Sequence, residues 1–327
     1  MSDWPQNRNF PFSNADGLSG LHNAWDFSRR RIADIQQAVL TEPVPTEVAC
    51  LAVSGSLNRM EAGPESDLDL LIVIDDRDQK VPQIQTERIR QHIWKTLSRF
   101  PLLRDLKQPK SDGVFSKCVS WQALTDPQVR GIIDEDPVSY GQRMQLLLDA
   151  QPIVEHHRFT QLQSELLTWY REDRVAGLFH EAGPFHWLWQ DVRRYWHSIR
   201  SRACWLHEEE PTRSLEVNLK LRSSRLVIVS AFLQTIADVH RLPPESPNHI
   251  SDFCSRLKTT PLERLTDPSS TDNSQKLFLL AYQHLRQQCI QLTDETTDIS
   301  DQDSNAIRKV RQYAQQICLQ SDGDWVF

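Results

Sequence analysis

The sequence predicts an α+β (or α/β) protein, in which a small mixed-sheet domain with an N-terminal helix precedes an all-α helical-bundle domain. At 327 residues, the chain exceeds the ~250–300 residues at which a single hydrophobic core usually stops growing, so we expect two domains. Short apolar runs bounded by turn residues, the pattern of buried strands, occur within the first 120 residues. Beyond residue 139 only helical patterns follow, separated mostly by proline-containing loops.

The first domain is predicted to contain two helices and three strands. Residues 22–40 place apolar side chains at near-helical spacing and end before Pro43 and Pro45, which predicts the N-terminal helix. The remaining predicted elements are strands at 48–53 (VACLAV), 68–74 (LDLLIVI) and 114–119 (VFSKCV), and a second helix at 82–99.

The second domain is predicted from a succession of helical patterns, with the domain boundary near residues 125–138. Three segments result: an N-terminal extension at 1–21, the small α/β domain at 22–130 and the helical domain at 131–327. The predicted helices of the last segment are 139–149, 156–175, 184–208, 214–240, 247–257, 272–292 and 303–319.

Composition and charge exclude several classes of protein. Hydrophobic residues make up 39% and charged residues 25% of the chain, which is typical of folded soluble proteins. No apolar run approaches the ~18–20 residues of a membrane-spanning helix, and the N-terminus does not resemble a secretion signal. We therefore expect a cytoplasmic location and no membrane partner. The net charge of -7 argues against broad nucleic-acid binding, and six scattered cysteines without a CxxC pair argue against a zinc site.

Two aspartates alternate with leucines after a Gly-Ser turn in the segment GSLNRMEAGPESDLDL, residues 55–70. Asp67 and Asp69, the aspartate pair, should project from one face of an extended chain. Two carboxylates so close together repel each other, which favours a bound cation, and Mg²⁺ prefers such ligands together with substrate phosphates. Gly55 and Ser56, the Gly-Ser loop, follow a strand and offer backbone N–H groups to a phosphate. The combination indicates half of a nucleoside triphosphate site.

The longer segment GSLNRMEAGPESDLDLLIV resembles the polymerase-β-type nucleotidyltransferase superfamily, and specifically the branch of the PII-protein uridylyltransferase. The helical segments GQRMQLLLDAQPIVE, WQDVRRYWHSIRSRA and NLKLRSSRLVIVSAFL are similar to segments downstream of the motif in related bacterial nucleotidyltransferases, so the resemblance covers roughly residues 20–245. The signature of the branch, G-[GS]-x-x-R-x-E-x-x-P-x-S-D-x-D, is matched at Gly55, Ser56, Arg59, Glu61, Pro64, Ser66, Asp67 and Asp69.

The resemblance implies magnesium-dependent nucleotide transfer by a two-metal-ion mechanism. The aspartate pair would hold two Mg²⁺ ions, or Mn²⁺ in their place, and the Gly-Ser loop would position the β- and γ-phosphates. Arg59 would neutralise phosphate charge as pyrophosphate leaves. The alternative for Arg59 is a salt bridge with Glu61 or Glu65.

A third carboxylate ordinarily completes this kind of site from a neighbouring strand, as a metal ligand or as the base that activates the nucleophile. The predicted third strand contains no acid. Asp112, directly before it, is the nearest candidate for this catalytic role, and Asp105 is a weaker one. Asp75 and Asp76 follow the far end of the motif strand and are poorly placed.

The helical domain offers a second set of candidates for nucleotide binding, Lys220 and Arg222. On an α-helix, Asn218, Arg222 and Arg225 share a face through their i, i+4, i+7 spacing. Such a face would close over the triphosphate or bind a phosphorylated or nucleic-acid acceptor. The alternative is a polar seam between two helices.

The sequence thus predicts an enzyme that transfers a nucleoside monophosphate from an NTP to a protein (PII-like) or other hydroxyl acceptor and releases pyrophosphate. A protein acceptor is favoured over nucleic acid by the acidic net charge and by the resemblance. Two alternatives stay open. One is a regulatory module that binds nucleotide without catalysis, which the missing third acid favours. The other is a toxin- or defence-type nucleotidyltransferase acting on tRNA, which would require a basic groove lined by Arg193, Arg194, Lys220 and Arg222.

Overall fold

The computed structural model describes residues 4–12, 16–104, 106, 113–129, 135–171, 185–241, 249–292 and 299–319. They form two compact units. Described residues within Met1–Asn9, Ala24–Phe179 and Ile250–Thr260 make up the first, and those within Phe10–Asn23, His180–His249 and Pro261–Phe327 make up the second. The predicted fold class is confirmed, because an N-terminal helix and a small mixed sheet precede a largely helical C-terminal portion.

The sheet and its surrounding helices come from the first half of the chain. In order they are α1 (Ser19–Leu40), β1 (Val48–Ser54), α2 (Gly55–Asn58), β2 (Leu70–Ile74), α3 (Gln83–Arg99), β3 (Val119–Ser120), α4 (Trp121–Thr125), α5 (Pro137–Leu148), β4 (Ala150–Val154) and α6 (His156–Arg171).

The four strands form one mixed sheet in the order β3-β2-β1-β4. The central strand β1 pairs antiparallel with β2 and with β4, whereas β2 pairs parallel with β3. In these ladders Val53 lies opposite Leu70, and Ser54 lies opposite Ala150. Every residue of β1 and β2 is buried, and α6 packs on β1. Burial on both faces explains why these two strands are continuous apolar runs rather than alternating ones.

Three features of the sheet differ from the predicted one. β2 begins at Leu70, so the aspartate pair precedes the strand rather than opening it. The third strand is only Val119–Ser120, and the prediction of a strand from residue 114 is wrong. Both the N–H and the hydroxyl of Ser116 donate to the carbonyl oxygen of Gly113, which forms a turn there instead. The strand β4, within the segment predicted to be all-helical, was not predicted and extends the first unit past residue 130.

The N-terminal residues within 4–12 are packed rather than extended into solvent. Trp4 is only 2% exposed, and its ring meets that of Phe159 edge-to-face with 5.6 Å between the centroids. Phe10 and Phe12 are buried as well. Aromatic side chains in this stretch therefore contribute to cores.

The second unit is built from helices. α9 is its core helix, because it packs against α11 and α13 and buries apolar side chains on most of its circumference. No helix of the described residues is long and apolar enough to cross a membrane. Helices of the C-terminal half are α7 (His186–Glu209), α8 (Pro211–Lys220), a π-helical turn (Leu221–Arg225), α9 (Leu226–His240), α10 (His249–Leu257), α11 (Pro261–Leu265), α12 (Asn273–Gln291) and α13 (Asp301–Leu319). Of these, α10 belongs to the first unit from Ile250 onward.

Candidate nucleotide and metal site

Gly55 directly follows β1 and has a backbone conformation that favours glycine. Its φ is +67°, in the left-handed region that side chains with a β-carbon rarely adopt. The N–H of Ser54 donates to the carbonyl oxygen of Asp69 at 2.8 Å. This hydrogen bond extends the antiparallel β1–β2 pairing to Asp69, the residue directly before β2. As a result the Asp69 carboxylate lies against Gly55, and a β-carbon on residue 55 would overlap Asp69 Oδ2.

A separate turn delivers Asp67 to the same end of the sheet. The N–H of Ser66 donates to the carbonyl oxygen of Gly63 at 3.1 Å, and the N–H of Gly63 donates to Ser66 Oγ at 2.9 Å. Pro64 occupies the second position of this β-turn, where its restricted φ is favourable. The chain leaves the turn with Asp67 exposed and Asp69 half-buried.

The Gly-Ser loop is the start of α2, and the turn after α2 closes back onto it. The N–H of Arg59 donates to the carbonyl oxygen of Gly55 at 3.1 Å, and the N–H of Glu61 donates to that of Ser56 at 2.8 Å. The N–H of Ala62 then donates to Ser28 Oγ on α1 at 3.0 Å. These bonds hold residues 55–62 as one ordered segment.

Arg59 is held by two buried carboxylates. Its side chain is 9% exposed; Nε donates to Glu61 Oε2 at 2.9 Å and Nη1 donates to Asp149 Oδ2 at 2.6 Å. Asp149 also accepts from Asn58 Nδ2 at 2.8 Å. The salt bridge with Glu61, one of the two interpretations of Arg59, is therefore present. Asp149 is a partner that sequence reasoning missed.

Four more polar contacts lie behind the loop, and they come from Gln145 of α5, from Asp149 directly before β4 and from Gln151 of β4. The hydroxyl of Ser54 lies 2.6 Å from the carbonyl oxygen of Asp149 and 2.8 Å from Gln145 Oε1. Gln151 Nε2 donates to the carbonyl oxygens of Leu57 and Asn58 at 3.3 and 3.2 Å, which satisfies the C-terminal end of α2. No local pattern could have revealed these residues, because they lie about 90 positions from the loop; only the β1–β4 pairing brings them there.

The third carboxylate is not located by the structure. Asp112 and Asp105 lie outside the described residues. Asp76 accepts hydrogen bonds from the hydroxyl of Ser120 and the N–H of Gln122, so it joins the far end of β2 to β3 and α4. A hydrogen bond from Arg77 lowers the pKa of Asp75 at that same far end. Across the described ranges, no group of three or more His, Cys, Asp or Glu side chains is placed to hold a metal ion.

The cationic candidates of the helical segment belong to the second unit and have different partners there. Lys220 pairs with Glu216 on an exposed helix face, and Arg194 pairs with Asp191 at 3.5 Å. Arg193 packs over the ring of Trp189, 4.6 Å from its centroid. Arg222 instead lines a cavity.

Comparison with known proteins gives a match in the region of the Gly-Ser loop and the aspartate pair. The profile of the family described as "Putative nucleotidyltransferase DUF294" matches residues 20–105. This segment contains the Gly-Ser loop and the aspartate pair, and the match confirms the resemblance to polymerase-β-type nucleotidyltransferases over these residues. No curated protein and no solved structure shows a significant match to the chain.

Proposed function

We propose that the protein transfers a nucleoside monophosphate from a nucleoside triphosphate to a hydroxyl group on a protein and releases pyrophosphate. One observation carries this proposal: the Asp69 carboxylate packs against Gly55, with Asp67 exposed two residues before it, inside the segment matched by a nucleotidyltransferase family. A chain that places two acids beside a glycine-initiated loop has the parts needed to bind a metal–triphosphate complex.

The residues present fit magnesium. Both side chains of the aspartate pair are carboxylates, the hard oxygen ligands that this ion prefers. The missing β-carbon of Gly55 leaves room for one of these carboxylates, that of Asp69, directly beside the Gly-Ser loop. Asp67 and Asp69 would hold the ion. When bound, Mg²⁺ supplies neutralising charge for the triphosphate and for the attacking and leaving oxygens.

The other residues of the site bind phosphate, position the loop or accept a proton in this proposal. The Gly-Ser loop binds the β- and γ-phosphates through backbone N–H groups at the start of α2. Arg59 holds the loop in place through Glu61 and Asp149. During transfer the acceptor oxygen bonds to the α-phosphorus, the bond from that phosphorus to the bridging oxygen breaks, and pyrophosphate leaves with that oxygen. Asp112 is the residue we propose to accept the hydroxyl proton.

A protein acceptor is favoured over tRNA by the charges of the described residues. Two of the four cations that would line a basic groove, Arg194 and Lys220, are paired with acids, and the chain has a net charge of -7. An uncompensated basic surface is what nucleic-acid backbone binding requires.

The test is transfer of label from NTPs that carry ³²P at the α-position, with γ-labelled NTPs in parallel. Compared with the extract alone, addition of the purified protein and Mg²⁺ should increase the α-label on protein but not the γ-label, and EDTA or the Asp67→Asn/Asp69→Asn double variant should abolish the increase. Glu65→Gln removes an exposed acid of the same loop and should retain activity. An increase in the γ-label over the extract alone would instead identify a kinase and contradict the proposal.

A second candidate, nucleotide binding without transfer, is favoured by the absence of a three-acid group from the described residues. The same experiment separates the two functions. NTP binding that depends on Asp67 and Asp69 but yields no labelled product in any extract would favour the regulatory function.

A further inference from the structure

A cavity of about 290 Å³ lies within the second unit. Its walls come from α7, from the continuous stretch α8–π turn–α9, and from α13. The volume is near the lower end of the ~300–1,000 Å³ range of small-molecule sites, which favours a compact ligand.

The inner wall of the cavity is apolar. Trp196 of α7, Leu226 of α9 and Ile307 of α13 are each at most 8% exposed and line it. Such a surface suits the planar or apolar body of a ligand, because burying that body removes apolar area from water.

The rim of the cavity is cationic. Arg200, Arg222 and Arg311 line it from three different helical segments, and all three are exposed. No acidic residue is among the described residues that line the cavity. Among the described residues, Arg200 and Arg222 make no ion pair and no side-chain hydrogen bond, whereas Arg213 on α8 pairs with Glu210 at 3.0 Å. Guanidinium groups with spare donors favour a phosphate, which accepts bidentate hydrogen bonds.

The π-helical turn Leu221–Arg225 favours Leu226 over Arg225 on this wall. On a regular α-helix Arg225 and Leu226 would both neighbour Arg222, at i+3 and i+4. A π turn advances less rotation per residue than an α turn, which brings Leu226 closer to the face of Asn218 and Arg222 and turns Arg225 away from it. Leu226 lines the cavity with Asn218 and Arg222, whereas Arg225 is not among the lining residues. An apolar side chain therefore lies next to the arginine rim at this position.

We propose that this cavity is a binding site for a nucleoside monophosphate, with the base or sugar on the apolar wall and the phosphate at the arginine rim. A phosphate monoester carries about two negative charges near neutral pH, which matches a rim of several arginines better than a single carboxylate does. The small volume favours a monophosphate over a triphosphate. This inference does not rest on the proposed transferase function, since every described residue that lines the cavity lies in the second unit.

Cys204 provides a local readout, because it lines the cavity and is exposed. The full-length protein is treated with N-ethylmaleimide, and the modified fraction of the Cys204 peptide is followed by mass spectrometry. Half-buried Cys289 of the same unit is the internal reference. The probes are AMP and UMP, with adenosine, uridine and inorganic phosphate at equal ionic strength for comparison.

AMP or UMP should slow modification of Cys204 but not of Cys289, and do so at lower concentrations than the nucleosides or phosphate alone. Arg222→Gln should raise the half-protecting concentration about tenfold, the effect of losing one charge-assisted contact. Arg200→Gln should act in the same direction, whereas the matched variant Arg213→Gln should behave as wild type. Protection should persist in the Asp67→Asn/Asp69→Asn variant.

Three results would each overturn the inference. The first is protection by AMP and UMP no stronger than that by inorganic phosphate. The second is an equal effect of Arg222→Gln and Arg213→Gln, which would show that net charge rather than the rim matters. The third is loss of protection in the Asp67→Asn/Asp69→Asn variant, which would assign the effect to the aspartate pair.

Discussion

The Oδ2 atom of Asp69 occupies the space that a β-carbon on residue 55 would need, so the Asp69 carboxylate can take this position only because residue 55 has no side chain. The left-handed φ of +67° at Gly55 imposes the same requirement independently. The backbone hydrogen bond from the N–H of Ser54 to the carbonyl oxygen of Asp69 keeps Asp69 next to Gly55. The loop that would bind phosphate and the acid that would bind metal are thus built as one unit.

Gly55→Ala should destabilise the protein by about 1–3 kcal/mol from backbone strain alone, and by more from displacement of the Asp69 carboxylate. Nucleotide transfer should be lost at the same time. The matched variant is Gly63→Ala, since a β-carbon there meets no atom within 4 Å and φ is not left-handed. Urea denaturation checks the prediction, and equal unfolding free energies for the two variants would contradict it.

Asp149→Ala should destabilise the first unit by about 3 kcal/mol, because it leaves the buried guanidinium of Arg59 with Glu61 as its acid partner and removes the acceptor of Asn58. Glu216→Ala is the comparison variant, since it breaks an exposed pair with Lys220 that contributes under about 1 kcal/mol. Chemical denaturation of both variants measures the difference. An Asp149→Ala protein as stable as Glu216→Ala would show that the buried network does not hold the loop.

Asp67→Asn should abolish transfer while changing the free energy of unfolding by less than about 0.5 kcal/mol, as is usual for an exposed position. The physical reason is that an amide keeps the shape of the side chain but loses the charge that would hold Mg²⁺. Thermal denaturation and the α-label assay, run on the same preparation, test both parts. Retained transfer at saturating Mg²⁺ would remove Asp67 from the proposed metal site.

Alkaline pH should lower the free energy of unfolding, in part through ionisation of the Cys118 thiol. Burial raises the pKa of this thiol to about 12, and Sγ donates to the carbonyl oxygen of Thr86 at 3.3 Å. An unfolded thiol loses its proton near pH 9.0. The stability contributed by the protonated thiol is therefore complete below pH ~9 and declines by about 1.4 kcal/mol per unit as the pH rises towards 12.

The free energy of unfolding of the wild type should accordingly fall more steeply between about pH 9 and 10.5 than that of Cys118→Ala. Denaturation at a series of pH values gives both slopes. Parallel profiles would show that the Cys118 thiol ionises equally in the folded and unfolded states.

How much the sequence predicts depends on how local each feature is. The strands β1 and β2 follow from their apolar composition. The Gly-Ser loop and the aspartate pair are predicted from residue type and spacing together with the family resemblance. By contrast β3 is shorter than predicted, since residues 114–118 alternate too weakly to compete with the turn at Gly113. The short strand β4 (AQPIV) contains a proline and follows a helix directly, so no periodicity distinguished it from the helices around it.

The sequence by itself determined the N-terminal helix, the strands β1 and β2, the helical character of the C-terminal portion and the residues that could bind a metal–triphosphate complex, because apolar runs, glycine, proline and alternating carboxylates act through their immediate neighbours. Only the tertiary structure decided that Asp149 holds Arg59, and that Leu226 rather than Arg225 joins Arg222 at a cavity. The first depends on pairing between strands about 100 residues apart, and the second on a local change of helical pitch at the π turn. Neither leaves a periodic signal in the chain, since one arises from pairing with a distant strand and the other interrupts the helical period itself.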